Sequence, residues 1–222
     1  MQEKIEYARV TDILKPFTPF KNMSEPAIDV QESAWRRTVQ KAAARGTTVH
    51  AICAAIANDE WVPYDIIPQE AKGYVESFHA WMEDRVEMFL VIETRYSDDE
   101  QEYTGQVDFI ALYKDGRYVL VDIKTTYKPE KTHPIQVAAY SQLAELHGCH
   151  VDAVSLVYLS KEGKYPKCFE YEEDELELRR DVFNSALHCY KYFNSTQRRR
   201  GKTKPVSENL GDNERVGLCS EG

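Results

Sequence analysis

The feature that most constrains this chain is a change of hydrophobic period near its middle. Apolar residues recur at helical spacing, then form continuous runs of strand length, and then return to helical spacing. The predicted order is a helix at 70–83, strands at 88–94, 105–113 and 117–124, a helix at 134–146 and a strand at 153–159. This order predicts an α/β fold in which helices flank a small mixed sheet, α-β-β-β-α-β in sequence.

Shorter patterns complete the predicted organisation. We expect a short helix at 11–14, a helix at 34–44 that Gly46 interrupts, a second helix from residue 47 or 48, an edge strand at 164–171 and a last helix at 173–192. The expected division of the chain is an extension over residues 1–33 packed on the core, one main domain over 34–195 and a flexible tail over 196–222.

The charge of the chain bears on its partners. The formal net charge is −9, which argues against strong non-specific binding to nucleic acid. The charge is uneven, however, because residues 170–177 hold six acids and residues 198–204 hold five bases. The basic run can contact a DNA backbone or belong to a disordered tail, and we favour the tail. Bound metal would also offset part of the acidic total.

Compartment and redox state follow from what the sequence lacks. No apolar run approaches the ~20 residues of a membrane span, and residues 1–14 show neither a signal nor a transit peptide. The five cysteines form no C-x-x-C pair, which favours reduced thiols. We therefore expect a cytoplasmic protein without membrane contact and without an iron–sulfur cluster.

Two charges end an otherwise apolar strand. Asp122 and Lys124 lie two residues apart and share one face of the strand at 117–124. Buried charges are costly unless they bind something. A two-residue turn would place Asp108 of the preceding strand on the wrong face, whereas a three-residue loop with Gly116 left-handed pairs Asp108 with Asp122. We predict the three-residue loop.

Facing carboxylates indicate a cation site. Mg²⁺ or Mn²⁺, as one or two ions, suits the oxygen ligands of Asp108 and Asp122. His50 can add an imidazole ligand, which favours Mn²⁺, and Lys124 can act on a water or a phosphate. Gln136 and Tyr140 share a helix face at spacing i, i+4 and can contact a phosphate or a base.

The motifs occur in a characteristic order. They are Arg45-Gly46-x-x-x-His50, Gly105-x-x-Asp108, Asp122-x-Lys124 and Gln136-x-x-x-Tyr140. Together they resemble the RecB-type branch of the PD-(D/E)XK nucleases, which have a restriction-endonuclease-like core. The segment 10–14, followed by Trp35 and Arg45-Gly46-Thr47, is similar to the mitochondrial genome maintenance exonuclease and to phage exonucleases.

The resemblance implies roles for individual residues. His50, Asp108 and Asp122 would bind the metal with the backbone carbonyl of Ile123, Lys124 would be catalytic, and Gln136 and Tyr140 would face the substrate. Three further residues are left open: Thr125 as a phosphate contact, Arg45 as part of the site, and Glu93 as part of the site or as a surface ion pair.

The resemblance also implies an activity. We expect a metal-dependent DNA exonuclease that acts on single strands or strand ends in replication, recombination or repair, where protein partners would be found. The alternatives are a structure-specific endonuclease of the same fold and a non-catalytic accessory protein that binds DNA ends. RNA as the substrate is left open, because no reader of a 2′-hydroxyl is visible in the sequence.

Overall fold

The computed structural model describes residues 7–18, 29–126 and 128–194. The strands are β1 (Ala8–Arg9), β2 (Val86–Asp98), β3 (Tyr103–Tyr113), β4 (Tyr118–Lys124), β5 (Ala153–Tyr158) and β6 (Lys167–Tyr171). The helices are α1 (Val10–Leu14), α2 (Asp29–Ala57), α3 (Gln69–Arg85), α4 (Thr132–Leu146) and α5 (Glu173–Asn194). Short 3₁₀ turns cover Lys15–Phe17 and Tyr64–Ile66.

The six strands form one mixed sheet in the order β1-β3-β4-β5-β6, with β2 on the other edge of β3. Strand β4 is antiparallel to β3 and parallel to β5, and α4 makes the crossover between β4 and β5. Strand β1 pairs in parallel with the first residues of β3. The predicted mixed sheet flanked by helices is therefore confirmed.

Each face of the sheet buries its own apolar cluster. On one face, α2 and α3 contribute Val49, Phe78 and Trp81, which pack against odd-numbered residues of β4. On the other face, α1, α4 and α5 contribute residues such as Ile13 and Leu143. Strands β4 and β5 are covered on both sides, which explains why their sequences are continuously apolar.

Helix α2 differs from the prediction. Gly46 was expected to separate two helices, but α2 runs without interruption from Asp29 to Ala57. A glycine inside a helix costs only about 1 kcal/mol relative to alanine, and burial of Val49 and Cys53 on the same helix offsets that cost. The expected boundary at residues 33 and 34 falls within this helix.

The hairpin between β3 and β4 has the predicted register. Phe109 pairs with Val121 and Leu112 with Tyr118, and Gly116 has a φ of +90°. Lys114, Asp115 and Gly116 thus form the three-residue loop, and the next pair in this register would be Asp108 with Asp122. The expected tail at 196–222 lies outside the described residues.

None of the helices in the described part of the chain has the length and apolar character needed to cross a membrane.

Candidate active site

The candidate site lies in a fork of the sheet. Strand β2 covers one edge of β3 along its length, so β1 and β4 share the other edge. Strand β1 pairs with β3 at Tyr103 and Thr104, and β4 pairs with it only from Phe109 onward. Residues 105–108 of β3 therefore lie in the gap where β4 turns away to follow β5.

Beside this gap, strand β2 brings a third acidic residue next to Asp108. The pairs on either side, Ile92 with Phe109 and Thr94 with Val107, place Glu93 opposite Asp108. Glu93 has a φ of +43°, an unusual value for a residue with a side chain. Backbone strain of this kind costs on the order of 1–3 kcal/mol and is concentrated at functional sites. Here it accompanies the convergence of two carboxylates.

Three ligand-type side chains meet at this point. Nδ1 of His50, on α2, lies 3.3 Å from Oδ1 of Asp108 and 3.5 Å from Oε1 of Glu93. One ligand atom from each residue lies within 4.8 Å of the others. Oδ2 of Asp108 accepts a hydrogen bond of 2.9 Å from the backbone N–H of Ile123. This bond joins β3 to β4 across the fork.

Asp122 and Lys124 form the second half of the site. Nζ of Lys124 lies 2.7 Å from Oδ2 of Asp122, a distance that fits an ion pair. No hydrogen bond of good geometry reaches Oδ2 among the described residues, so its contact with Lys124 is one between opposite charges. Both side chains are largely buried, so water and salt screen the attraction between the two charges only weakly.

A chain of hydrogen bonds fixes Lys124 from α4. Lys124 donates to Oε1 of Gln136 at 3.0 Å, and Nε2 of Gln136 donates to the hydroxyl of Tyr140 at 2.8 Å. The Tyr140 ring packs on Gly105 so closely that a Cβ at that position would lie 2.7 Å from a ring carbon. Gly105 is therefore needed for the close approach of the Tyr140 ring to β3.

Burial and the close approach of several charges shift the pKa values of these side chains. Burial lowers the pKa of His50, but Asp108, Glu93 and Asp122 outweigh that effect and raise the pKa to about 10. Burial raises the pKa of Asp122, and repulsion from Asp108 adds to the increase while Lys124 opposes it. For Glu93, burial is outweighed by the interaction with His50 and by the hydrogen bond from Gln106, which together hold its pKa below the usual value.

The donor set fits a divalent cation. Oε1 of Glu93 and Oδ2 of Asp122 are buried carboxylate oxygens without hydrogen-bond partners among the described residues. Unpaired carboxylate oxygens beside an imidazole are a typical ligand set for Mn²⁺ or Mg²⁺. His50, Glu93 and Asp108 form one cluster, and Asp122 interacts electrostatically with each of them.

Other residues named from the sequence lie at the rim. The guanidinium of Arg45 lies 5.4 Å from the centre of the Tyr74 ring. Thr125 follows Lys124 and approaches Gly46 of α2, where a Cβ would meet its Oγ1 at 3.5 Å. Within the described residues, no hydrogen bond or ion pair joins either side chain to the cluster of His50, Glu93 and Asp108.

Sequence reasoning missed Gln106. This residue donates a hydrogen bond to Oε2 of Glu93 and accepts one of 3.3 Å from Arg95. Gln106 therefore fixes the carboxylate of Glu93, the residue whose backbone is strained. The spacing Glu93…Gln106 carries no motif, and only the pairing of β2 with β3 reveals the contact.

Comparison with protein families decides the classification. A family model described as PD-(D/E)XK nuclease superfamily matches residues 24–208, which include every element from α2 to α5. The chain belongs to the PD-(D/E)XK nuclease superfamily. Nucleases of this superfamily use divalent metals, and the cluster of His50, Glu93 and Asp108 in this member is a candidate site for one.

Solved structures resemble this superfamily member only distantly. The crystal structure of SSO0001 shares 19% sequence identity and a TM-score of 0.31, covering 45% of this chain and half (50%) of its own. The crystal structure of LHK-Exo in complex with dAMP shares 11% identity and a TM-score of 0.38, covering 85% of this chain and 91% of its own. No curated protein sequence matches significantly.

Proposed function

We propose that the chain is a divalent-metal-dependent deoxyribonuclease of the RecB-type branch that removes nucleotides from strand ends, with single-stranded DNA preferred. The observation that carries the proposal is the pairing of Asp122 and Lys124 on one strand, directly beside the His50, Glu93 and Asp108 cluster. The resemblance of the motifs and of residues 10–14 to phage and mitochondrial exonucleases supports action at ends, in replication, recombination or repair.

The proposed reaction is hydrolysis of a phosphodiester bond. A water oxygen forms a new bond to phosphorus and gives up a proton, the bond to the leaving sugar oxygen breaks, and that leaving oxygen takes up a proton. His50, Glu93, Asp108 and Asp122 would hold the cation, together with the carbonyl of Ile123. A bound divalent cation supplies Lewis acidity toward the phosphoryl oxygens.

Lys124 is placed to act on the reacting atoms. An ammonium group has three N–H donors. One is used by Gln136 and a second is directed toward Asp122. The third is available to a phosphate oxygen or to the attacking water, where negative charge grows in the transition state. Gln136 and Tyr140 are positioning residues in this scheme, because they fix the Lys124 side chain.

The test uses end-labelled single-stranded DNA, linear duplex and closed circular DNA, each with Mg²⁺, Mn²⁺ or EDTA. Wild-type protein should degrade linear DNA only with metal and should spare circles. Lys124→Ala should lower the rate roughly 100-fold or more, as expected for loss of a group that stabilises developing charge. Lys114→Ala is the matched control, since Lys114 lies in the hairpin at the opposite end of β4.

Each other outcome points to a different function. Cutting of closed circles would favour the structure-specific endonuclease. Equal inactivity of wild type and Lys124→Ala with both metals would favour an accessory protein that binds DNA ends. Degradation of a labelled RNA strand at the same rate as DNA would contradict the assignment of DNA as the substrate.

A further inference from the structure

A cavity of about 280 Å³ opens beside the carboxyl end of β4, on the side of β5 and β6. Thr125, the residue after Lys124, lines one side, and Tyr158 lines another. Tyr158 is also the partner of Lys124 in the pairing of β4 with β5. Neighbouring strands are about 4.8 Å apart and consecutive Cα atoms about 3.8 Å apart. The cavity therefore begins immediately beside the proposed catalytic lysine.

The lining of the cavity is cationic although the chain is acidic. Lys161, Lys164 and Lys167 all line it, and Glu162 is its one acidic lining residue. The three lysines are exposed. Lys161 and Glu162 are 3.6 Å apart and both largely exposed, so this ion pair holds the lysine only weakly. In a chain of net charge −9, this local excess of ammonium groups favours a polyanion.

Aromatic rings supply a second type of contact. Tyr74 and Tyr158 line the cavity and are buried, whereas 48% of Tyr165 is exposed. Bases of single strands stack on such rings with little dependence on sequence. Ammonium groups next to an exposed tyrosine are the combination that single-stranded nucleic acid requires.

The β5–β6 connection is fixed against α3. The backbone N–H of Ser160 donates to Oγ of Ser77 at 3.0 Å, and the Tyr165 hydroxyl donates to Oδ2 of Asp84 at 2.8 Å. Gly73 of α3 lies so close that a Cβ there would be 2.0 Å from the carbonyl oxygen of Lys161. The loop thus presents its lysines from a preformed support, which reduces the entropy cost of binding.

We propose that this cavity binds the single-stranded DNA segment that flanks the bond being hydrolysed. Lys161, Lys164 and Lys167 contact its phosphates, and Tyr165 stacks on one of its bases. Thr125 connects the cavity to Lys124, so a strand held here continues into the fork between β3 and β4. This inference rests on the proposed nuclease function, because it assigns the path of that enzyme's substrate.

Binding of a fluorescent single-stranded oligonucleotide, measured by anisotropy in EDTA over a range of salt concentrations, tests the lysines. Lys161→Gln combined with Lys164→Gln should weaken binding. It should also reduce the slope of log K against log salt by about 1.4, from about 0.7 per lost phosphate contact on a single strand. Lys114→Gln combined with Lys191→Gln removes the same charge elsewhere and should leave the slope unchanged. Equal slopes for the two double variants would overturn the proposal.

A pair of Tyr165 variants tests stacking. Tyr165→Ala should weaken binding roughly tenfold, within the range of one lost base–ring contact. Tyr165→Phe keeps the ring but loses the hydrogen bond to Asp84, and should bind like wild type. Equal loss in both variants would show that the hydroxyl anchors the loop and would refute stacking.

Hydrolysis of bis(p-nitrophenyl) phosphate with Mn²⁺ separates this inference from the proposed function. The small diester can react in the fork without filling the cavity, so all the cavity variants should hydrolyse it at the wild-type rate. If neither wild type nor any variant hydrolyses the diester, the result counts against the proposed nuclease function, and the binding experiments alone then decide whether the cavity binds single-stranded DNA. If the cavity variants hydrolyse the diester normally and also bind DNA like wild type, the cavity is not the DNA-binding site, and the proposed nuclease function is unaffected.

Discussion

Two helical glycines of this fold should respond to alanine with opposite signs. Gly73 lies inside α3 and Gly46 inside α2, and alanine is favoured over glycine in a helix by about 1 kcal/mol. At Gly46 the new Cβ would meet only Oγ1 of Thr125, at 3.5 Å, which is ordinary contact. At Gly73 it would lie 2.0 Å from the carbonyl oxygen of Lys161, a backbone atom that cannot rotate away.

The expected magnitudes follow from these contacts. Gly46→Ala should raise the free energy of unfolding by about 1 kcal/mol. Gly73→Ala should lower the free energy of unfolding by roughly 2 kcal/mol. Overpacking destabilises by up to about 3 kcal/mol, and the higher helix propensity of alanine offsets about 1 kcal/mol of that. For a chain of this size, the Tm of the two variants should differ by about 6–12 °C.

Urea unfolding followed by far-ultraviolet circular dichroism measures both variants against wild type. A change of the same sign in Gly46→Ala and Gly73→Ala would refute the reasoning. It would mean that helix propensity, and not the contact between α3 and the β5–β6 loop, decides stability at these positions.

Three further predictions concern the site. Glu93→Gln should weaken Mn²⁺ binding, measured by calorimetry, at least about tenfold, whereas Glu87→Gln at an exposed position of β2 should not. Gly105→Ala should displace the Tyr140 ring and lower turnover while Mn²⁺ affinity is retained; equal loss of both would show a general collapse of the site. Burial, with a contribution from Lys124, lowers the pKa of His133 to about 4. The folded protein therefore binds fewer protons than the unfolded chain between about pH 6.5 and 4, so stability falls by about 3 kcal/mol as the pH falls through this window. Urea unfolding at a series of pH values gives the free energy of unfolding as a function of pH, and His133→Asn should make it nearly constant between about pH 6.5 and 4. An unchanged slope in the variant would rule out His133 as the source of the pH dependence.

The strands and the facing carboxylates could be predicted from local sequence. The loop of Lys114, Asp115 and Gly116 sets the register through its length and through the left-handed Gly116, and both are local properties. The same register brings Asp108 toward Asp122. The apolar strand ending in Asp122 and Lys124 likewise follows from local pattern, because a buried charge requires a partner.

The position of Glu93 could not be predicted in this way. Two register shifts occur in β2, one between Val86 and Met88 and another between Phe89 and Val91. Without them, Val91 would lie opposite Asp108. Each irregularity depends on how β2 packs against α3 and β3, so the sequence of β2 alone cannot place its glutamate.

The structure also differs from the sequence prediction at β1 and at Gly46, each for its own physical reason. Strand β1 is two residues long, which is too short to show a hydrophobic period, and it is defined by its pairing with β3. The predicted helix break at Gly46 is wrong, because the burial of apolar residues along α2 outweighs the cost of one glycine.

The three-residue hairpin loop makes the active site sensitive to chain length at a distant point. Lys114, Asp115 and Gly116 lie eight to ten residues before Lys124, separated from it by the length of β4, on the order of 20 Å. Loss of one loop residue would force β4 either to strain the turn or to slip by one position, and a slip would turn Asp122 and Lys124 to the opposite face. Among variants of this protein, an insertion or deletion in this exposed loop would therefore be as damaging to catalysis as a substitution among the carboxylates, although it touches none of them.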